Sequence, residues 1–127
     1  MLKVPKLKKN SKLETYDRFL VLSDLDGTLV DSKGNLSPYT KRVIKHVVEA
    51  GHIFVIVSGY SPQNTEQYYK ELGLKHLMCN LNGAYIWNPS DKDFVPVNLC
   101  FNWEIATSIL KSKHIMQYVE NFLVQNY

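Results

Sequence analysis

The run Phe19-Leu20-Val21-Leu22-Ser23-Asp24-Leu25-Asp26-Gly27-Thr28-Leu29 decides how the chain reads. Its first part is short, apolar, and rich in aromatic and branched residues, which predicts a buried strand over Phe19–Ser23. Two carboxylates one residue apart follow, and Gly27 turns the chain away. Open α/β sheets bind their ligands outside the carboxyl ends of their strands. Asp24 and Asp26 therefore sit where an active-site lip is expected.

Downstream, Asp31-Ser32-Lys33-Gly34-Asn35 is a polar turn-rich segment, and Ser37-Pro38 is a strong helix start with a capping serine and a proline in the first turn. The helix carries Val43, Ile44, Val47 and Val48 on one stripe, with Lys41, Lys45 and Glu49 on the wet side. Gly51 sits where a helix-ending glycine belongs. Ile53-Phe54-Val55-Ile56-Val57 is continuously apolar, the pattern of a parallel strand buried on both faces. It closes in Ser58-Gly59. Ser61-Pro62 repeats the cap signal and predicts a helix to Leu72, stopped by Gly73. A third strand is expected at Leu77–Asn80, ending in Asn82-Gly83. Strand and helix alternate, so the fold class is α/β with a parallel sheet. Three lips then converge on one crevice: Asp24 and Asp26, Ser58 and Gly59, Asn80 and Asn82.

From Ala84 the texture changes. Tyr85-Ile86-Trp87, a turn at Asn88-Pro89-Ser90-Asp91, and Phe94-Val95-Pro96-Val97 read as a hairpin. Helices are expected over Trp103–Leu110 and Ile115–Leu123, broken at Ser112-Lys113-His114. Ile115, Met116, Val119, Phe122 and Leu123 are spaced for a helix packing on a sheet. The chain thus divides into a basic tail (1–18), a core (19–83) and an α+β segment (84–127).

At 127 residues with 45% hydrophobic content, one packed domain is expected. The net charge of +3 resides in the tail: residues 1–18 hold six basic and two acidic residues, and the remainder nine and ten. A lysine cluster can touch nucleic acid or an acidic membrane surface. With no aromatic residue before Tyr16, a solvated extension is the favoured reading and nucleic acid is disfavoured. No secretory signal and no membrane-spanning run is evident, so a cytoplasmic protein is expected, with no membrane partner. Cys79 and Cys100 read as buried or half-buried thiols. The four histidines have no zinc-ligand spacing.

A carboxylate can attack phosphorus directly and divide hydrolysis into two easier steps. Attack on an anionic phosphate needs a cation between the two, and Mg²⁺ suits one or two carboxylates plus phosphate oxygens. The second carboxylate could protonate the leaving oxygen. Gly27 lets the backbone pass close to a phosphate, and the Thr28 hydroxyl can tie the turn. Ser58 could donate to a phosphate oxygen beside the N–H of Gly59. Each residue also has a bland alternative. A bare Asp-x-Asp is usually a solvated turn, and Ser-Gly is ordinary turn chemistry. Asn82 would tolerate a left-handed turn before Gly83, and Asp31 is most simply a loop carboxylate.

Asp24-Leu25-Asp26-Gly27-Thr28-Leu29 resembles the first motif of the haloacid dehalogenase superfamily of phosphohydrolases. Leu36-Ser37-Pro38, Ser58-Gly59 and Asn82-Gly83-Ala84 follow in the order of its Cof-type branch, and the resemblance covers roughly residues 19–97. It implies a Rossmann-like core with an inserted α+β cap beginning after the third strand. It implies Asp24 as nucleophile and Asp26 as general acid/base, with Mg²⁺ held by the Asp24 side chain and the Asp26 carbonyl. Leu25, Gly27, Thr28, Ser58 and Gly59 would bind phosphate, and Asn82 and Gly83 would mark the junction toward cap and substrate. The expected activity is Mg²⁺-dependent hydrolysis of small phosphorylated metabolites.

The chain departs from the branch at Tyr60, where an arginine is usual. The later lysine and the later acidic motif of the family lie beyond the cap, and Lys111 and Lys113 do not simply take the lysine's place. The sequence therefore predicts an exposed apolar sheet edge. A second chain or a missing C-terminal half would complete the sheet. The alternative is a non-catalytic remnant or binding module of the same fold. A receiver-like phosphoacceptor domain is disfavoured, because Leu25 separates the acids and the third strand ends in Asn80.

Overall fold

The computed structural model describes residues 9–10, 15–16 and 18–120. Strands β1 (Lys9–Asn10) and β2 (Thr15–Tyr16) pair antiparallel as a small ribbon separate from the main sheet. The main sheet has five strands in the order β3 (Leu20–Asp24), β4 (Ile53–Val57), β5 (Met78–Asn80), β6 (Tyr85–Trp87) and β7 (Val97–Asn98). β3, β4 and β5 run parallel, and β6 and β7 add antiparallel. The sheet is thus parallel through the three strands that the apolar runs predicted and mixed beyond them, but β3, expected to be buried, alternates between exposed and half-buried residues because it lies at the sheet edge among the described residues.

Helix α1 (Pro38–Glu49) links β3 to β4, and helix α2 (Pro62–Glu71) links β4 to β5. The Ser37 hydroxyl accepts the Thr40 N–H at 3.0 Å, satisfying one of the orphan donors at the start of α1. Ser61 precedes α2 as expected, but its hydroxyl makes no cap bond. Its carbonyl accepts the Asn64 N–H and the Thr65 hydroxyl instead. The core gathers Leu25, Val30, Leu36, Ile44, Phe54, Ile56, Tyr69, Leu74 and Met78, with Val47 and Val48 of α1 packed against it. Adjacent residues Tyr68 and Tyr69, near the C-terminus of α2, tie it to two different connections. The Tyr68 hydroxyl donates to the Gly34 carbonyl at 3.0 Å, and the Tyr69 hydroxyl donates to the His76 carbonyl at 2.9 Å.

The hairpin is present with its second strand shifted to Val97–Asn98, across a loop longer than the expected four-residue turn. It is hydrogen-bonded into the main sheet through β5. Helix α3 (Trp103–Lys111) forms where expected, with Asn102 capping it. The helix expected at 115–123 is instead the short α4 (Lys113–Met116), followed by a turn; Phe122 and Leu123 lie outside the described residues. Ser112 is the hinge, ending α3 and capping α4 in an extended conformation. Ile115 and Val119 do not pack on the sheet: they remain exposed, and α3 packs chiefly on α4. Cys79 is half-buried as expected, whereas Cys100 is exposed on the strand-to-helix connection.

Candidate functional site

Register places the three lips side by side. Asp24, the last residue of β3, pairs with Val57, and Val57 pairs with Cys79. The residues that follow each strand end therefore emerge together: Leu25 and Asp26, then Ser58 and Gly59, then Asn80 to Asn82. Asp24 and Asp26 are both exposed, and Leu25 between them is completely buried. The alternation is that of a strand leaving its sheet, which anchors the middle residue and presents both acids to solvent.

Past Asp26 the chain makes one tight turn, with the N–H groups of Leu29 and Val30 both bonded to the Leu25 carbonyl at 2.9 and 3.0 Å. Gly27 takes φ +67° in that turn, a conformation that L side chains rarely adopt. Val30 then bridges to Leu36, closing a small hairpin around Asp31. The Asp31 carboxylate accepts the N–H groups of Asn35 and Lys33 at 2.8 and 2.9 Å. Those bonds, that of Asn35 first, hold its carboxyl below the ordinary aspartate value of 3.8. Asp31 is the loop carboxylate that its surroundings in sequence suggest.

The second lip is tightly knit. The Ser58 N–H donates to the Cys79 carbonyl at 2.9 Å, and its hydroxyl oxygen accepts the Tyr60 N–H at 3.1 Å. Ser58 is buried, yet the hydroxyl keeps a proton to donate. Gly59 is tightly approached, since a Cβ there would lie 3.1 Å from the Asn82 Oδ1 and would require that side chain to shift. Asn82 itself takes φ 54°, ψ 34°, the left-handed turn proposed for it, and its N–H donates to the Ser58 carbonyl at 3.2 Å. Asn82 therefore both makes the turn and sets its side-chain amide against Gly59.

Sequence reasoning placed Asn80 at the lip but missed what it does. It is completely buried and hydrogen-bonded to Tyr60, Thr65 and Trp87. The signal available was an asparagine ending an otherwise apolar strand, but its partners depend on how β6 pairs, which no local pattern reveals.

The Asp24 carboxylate and the main-chain carbonyl of Asp26 are hard oxygen donors of the kind Mg²⁺ takes. Among the described residues, no group of three His, Cys, Asp or Glu side chains gathers to hold a metal. A cleft of about 430 Å³ lies elsewhere, between the ends of α1 and α2, lined by Lys41, Lys45, Lys70, Glu49 and Glu71. Within it Lys41 pairs with Glu71 and Lys45 with Glu49, and Lys70 pairs with Glu66 outside the lining. Among the described residues no helix is long and apolar enough to cross a membrane.

A family model described as haloacid dehalogenase-like hydrolase matches residues 21–126. A protein of Metamycoplasma hominis named "Putative phosphatase in upp 3'region" is 34% identical over 110 residues, which cover 85% of this chain and 39% of that protein. The 5-amino-6-(5-phospho-D-ribitylamino)uracil phosphatase YitU of Bacillus subtilis is 32% identical over 73 residues, covering 58% of this chain and 27% of its own. Among solved structures, a haloacid dehalogenase-like hydrolase from Bacteroides thetaiotaomicron superposes with a TM-score of 0.66 at 23% identity, over 75% of this chain and 36% of that one. Another from B. subtilis gives 0.62 at 26%, over 72% and 31%. The chain thus spans about two-fifths or less of the length of these relatives. Motif order, sheet and family match agree: the chain belongs to the haloacid dehalogenase-like hydrolases, in their Cof-type branch.

Proposed function

We propose that these residues form the nucleophile-bearing half of a phosphoric monoester hydrolase acting on small phosphorylated metabolites. The observation that supports this reading is the register Asp24↔Val57, which brings the strand end that carries two exposed acids next to the strand end that leads into the buried Ser58. An Asp24 carboxylate oxygen attacks phosphorus, forming an aspartyl-phosphate as the bond to the leaving oxygen breaks. Asp26 gives that oxygen its proton. It then takes a proton from the water that attacks the aspartyl-phosphate, and Asp24 is released with inorganic phosphate. Ser58 donates its hydroxyl proton to a phosphoryl oxygen. The backbone around Leu25, Gly27, Thr28 and Gly59 cradles the other oxygens, and the Asn82–Gly83 turn leads toward the substrate's leaving group. The Asp24 side chain and the Asp26 carbonyl would hold Mg²⁺, which would supply the positive charge needed for two anions to meet.

The partner in this reading is the polypeptide that completes the sheet along β3, as a second chain or a C-terminal half. β3 is an edge strand among the described residues, and its Leu20 and Leu22 are each 61% exposed. An edge of this kind invites another strand or a covering element. The resemblance assigns to that missing part a lysine that neutralises phosphate and acids that complete the metal site.

The test is phosphate release from an aryl phosphate with Mg²⁺. The chain alone is expected to turn over slowly or not at all, and Asp24→Asn to stand at background. Adding a polypeptide that corresponds to the rest of the M. hominis relative is expected to raise turnover. Turnover that survives Asp24→Asn overturns the assigned nucleophile. A chain that binds the added polypeptide without any gain in turnover is a binding module instead.

A further inference from the structure

We infer that Asn80 is a positioning residue for the lip, locking the Ser58–Tyr60 loop to strand β6 through Trp87. One side-chain amide makes three bonds in a completely buried position. Its Nδ2 donates to the Tyr60 carbonyl at 3.0 Å and to the Thr65 hydroxyl at 2.8 Å, and its Oδ1 accepts the Trp87 indole N–H at 2.9 Å. The orientation of the amide is forced. A carbonyl can only accept and an indole N–H can only donate, so nitrogen must face Tyr60 and oxygen must face Trp87. Aspartate would keep the bond to Trp87 and lose both donors. Serine would be too short to span three elements.

The loop it holds has little freedom left. The Tyr60 carbonyl also accepts the Leu81 N–H at 3.2 Å, so both of its acceptor positions are used. The Tyr60 N–H is taken by the Ser58 hydroxyl oxygen. Immediately beyond Asn80, Leu81 and Asn82 have φ of 53° and 54°. Asparagine tolerates this region, but a leucine there is strained, and such strain persists only where surrounding contacts over-determine the backbone. The bonds from Leu81 to Tyr60 and from Asn82 to Ser58 are those contacts. Asn80 sits at their base, so the loop that presents the Ser58 hydroxyl and the hairpin that carries Trp87 hold one geometry together.

The importance of this lock for catalysis rests on reading Ser58–Gly59 as the phosphate-binding loop. Its existence is tested without turnover, by amide hydrogen exchange under native conditions. In the unaltered chain the Tyr60 and Leu81 amides are expected to be protected. Trp87→Phe keeps most of the ring's packing and removes the indole donor. It is expected to speed exchange at Tyr60 and Leu81 by about tenfold or more, while Val30 and Ile53, bonded elsewhere, change by less than about threefold. Asn80→Asp is expected to open the same two amides further; should it fail to fold, Trp87→Phe decides alone. Unprotected Tyr60 and Leu81 amides in the unaltered chain, no change in Trp87→Phe, or an equal rise at Val30 and Ile53 would each overturn the lock. A chain without phosphatase activity leaves this result untouched, and a failed lock leaves Asp24 as nucleophile.

Discussion

Residues 20–87 and residues 88–120 both carry branched aliphatic and aromatic side chains, but they use them differently. The first stretch contains every buried side chain among the described residues, with Leu25, Ile56 and Met78 completely enclosed. The second buries none: Phe101 is 81% exposed, and Leu99, Trp103 and Ile105 are exposed as well. Apolar content therefore does not distinguish a core from a surface; what lies opposite does. The first stretch is folded back on itself by two strand–helix–strand units. In the second, a two-residue strand leads to helices that find chiefly each other. The candidate chemistry lies wholly in the first stretch, where the backbone is bonded tightly enough to hold a geometry.

The largest effects should fall on one side of this contrast. Ile56→Ala or Met78→Ala is expected to destabilise the chain by about 2–5 kcal/mol, the range for truncating an enclosed core side chain. Phe101→Ala is expected to change stability by less than about 0.5 kcal/mol. Urea unfolding followed by circular dichroism measures both. A Phe101→Ala loss comparable to that of Met78→Ala would break the comparison, since it would mean the apolar surface of 95–119 is covered in solution.

The same contrast marks how far the sequence could be read. Local patterns were legible wherever a residue answers to its neighbours along the chain: the apolar run of β4, the Ser37-Pro38 start of α1, the exposed carboxylates at the end of β3 and the left-handed turn at Asn82. They failed where the answer lies across the sheet. Nothing along the chain says that Trp87 reaches Asn80, or that Tyr68 ties α2 to Gly34. The periodic apolar positions from Ile115 onward suggested a helix on a sheet, but periodicity reports a face and not what meets it. The Ser61 hydroxyl, buried at the start of α2, shows the same limit: cap residue and helix start were right, and the bond was made by the carbonyl.

Helix caps sharpen the contrast at a smaller scale. The Ser37 hydroxyl caps α1, whose Ile44 is part of the core, so Ser37→Ala is expected to cost about 1 kcal/mol of global stability. Asn102 makes an equivalent bond, its Oδ1 accepting the Glu104 N–H at 2.9 Å, but α3 has no buried residue. Asn102→Ala should therefore reduce the helicity of α3 locally and leave the main unfolding midpoint unchanged. Residue-resolved chemical shifts for α3, set beside the global melt, separate the two. A shifted global midpoint in Asn102→Ala would make α3 part of the cooperative core.

The smallest expected effect lies in the hairpin beside the lip. Asp31 is exposed, and its carboxyl is held below 3.8 by the N–H groups of Asn35 and Lys33. A carboxyl depressed in the folded chain contributes stability above its unfolded value of about 3.9 and loses it as pH falls through the folded value. The support from Asp31 should thus be complete at neutral pH and fade only below about pH 4. An NMR titration is expected to show the Lys33 and Asn35 amide shifts moving together with a midpoint below 3.8, and Asp31→Asn should abolish the transition and lower the global melt at pH 7 only slightly. A midpoint at or above the ordinary aspartate value would mean that the hairpin is not held closed by Asp31. The Tyr68 bond to Gly34 would still tie this loop to α2 in that case.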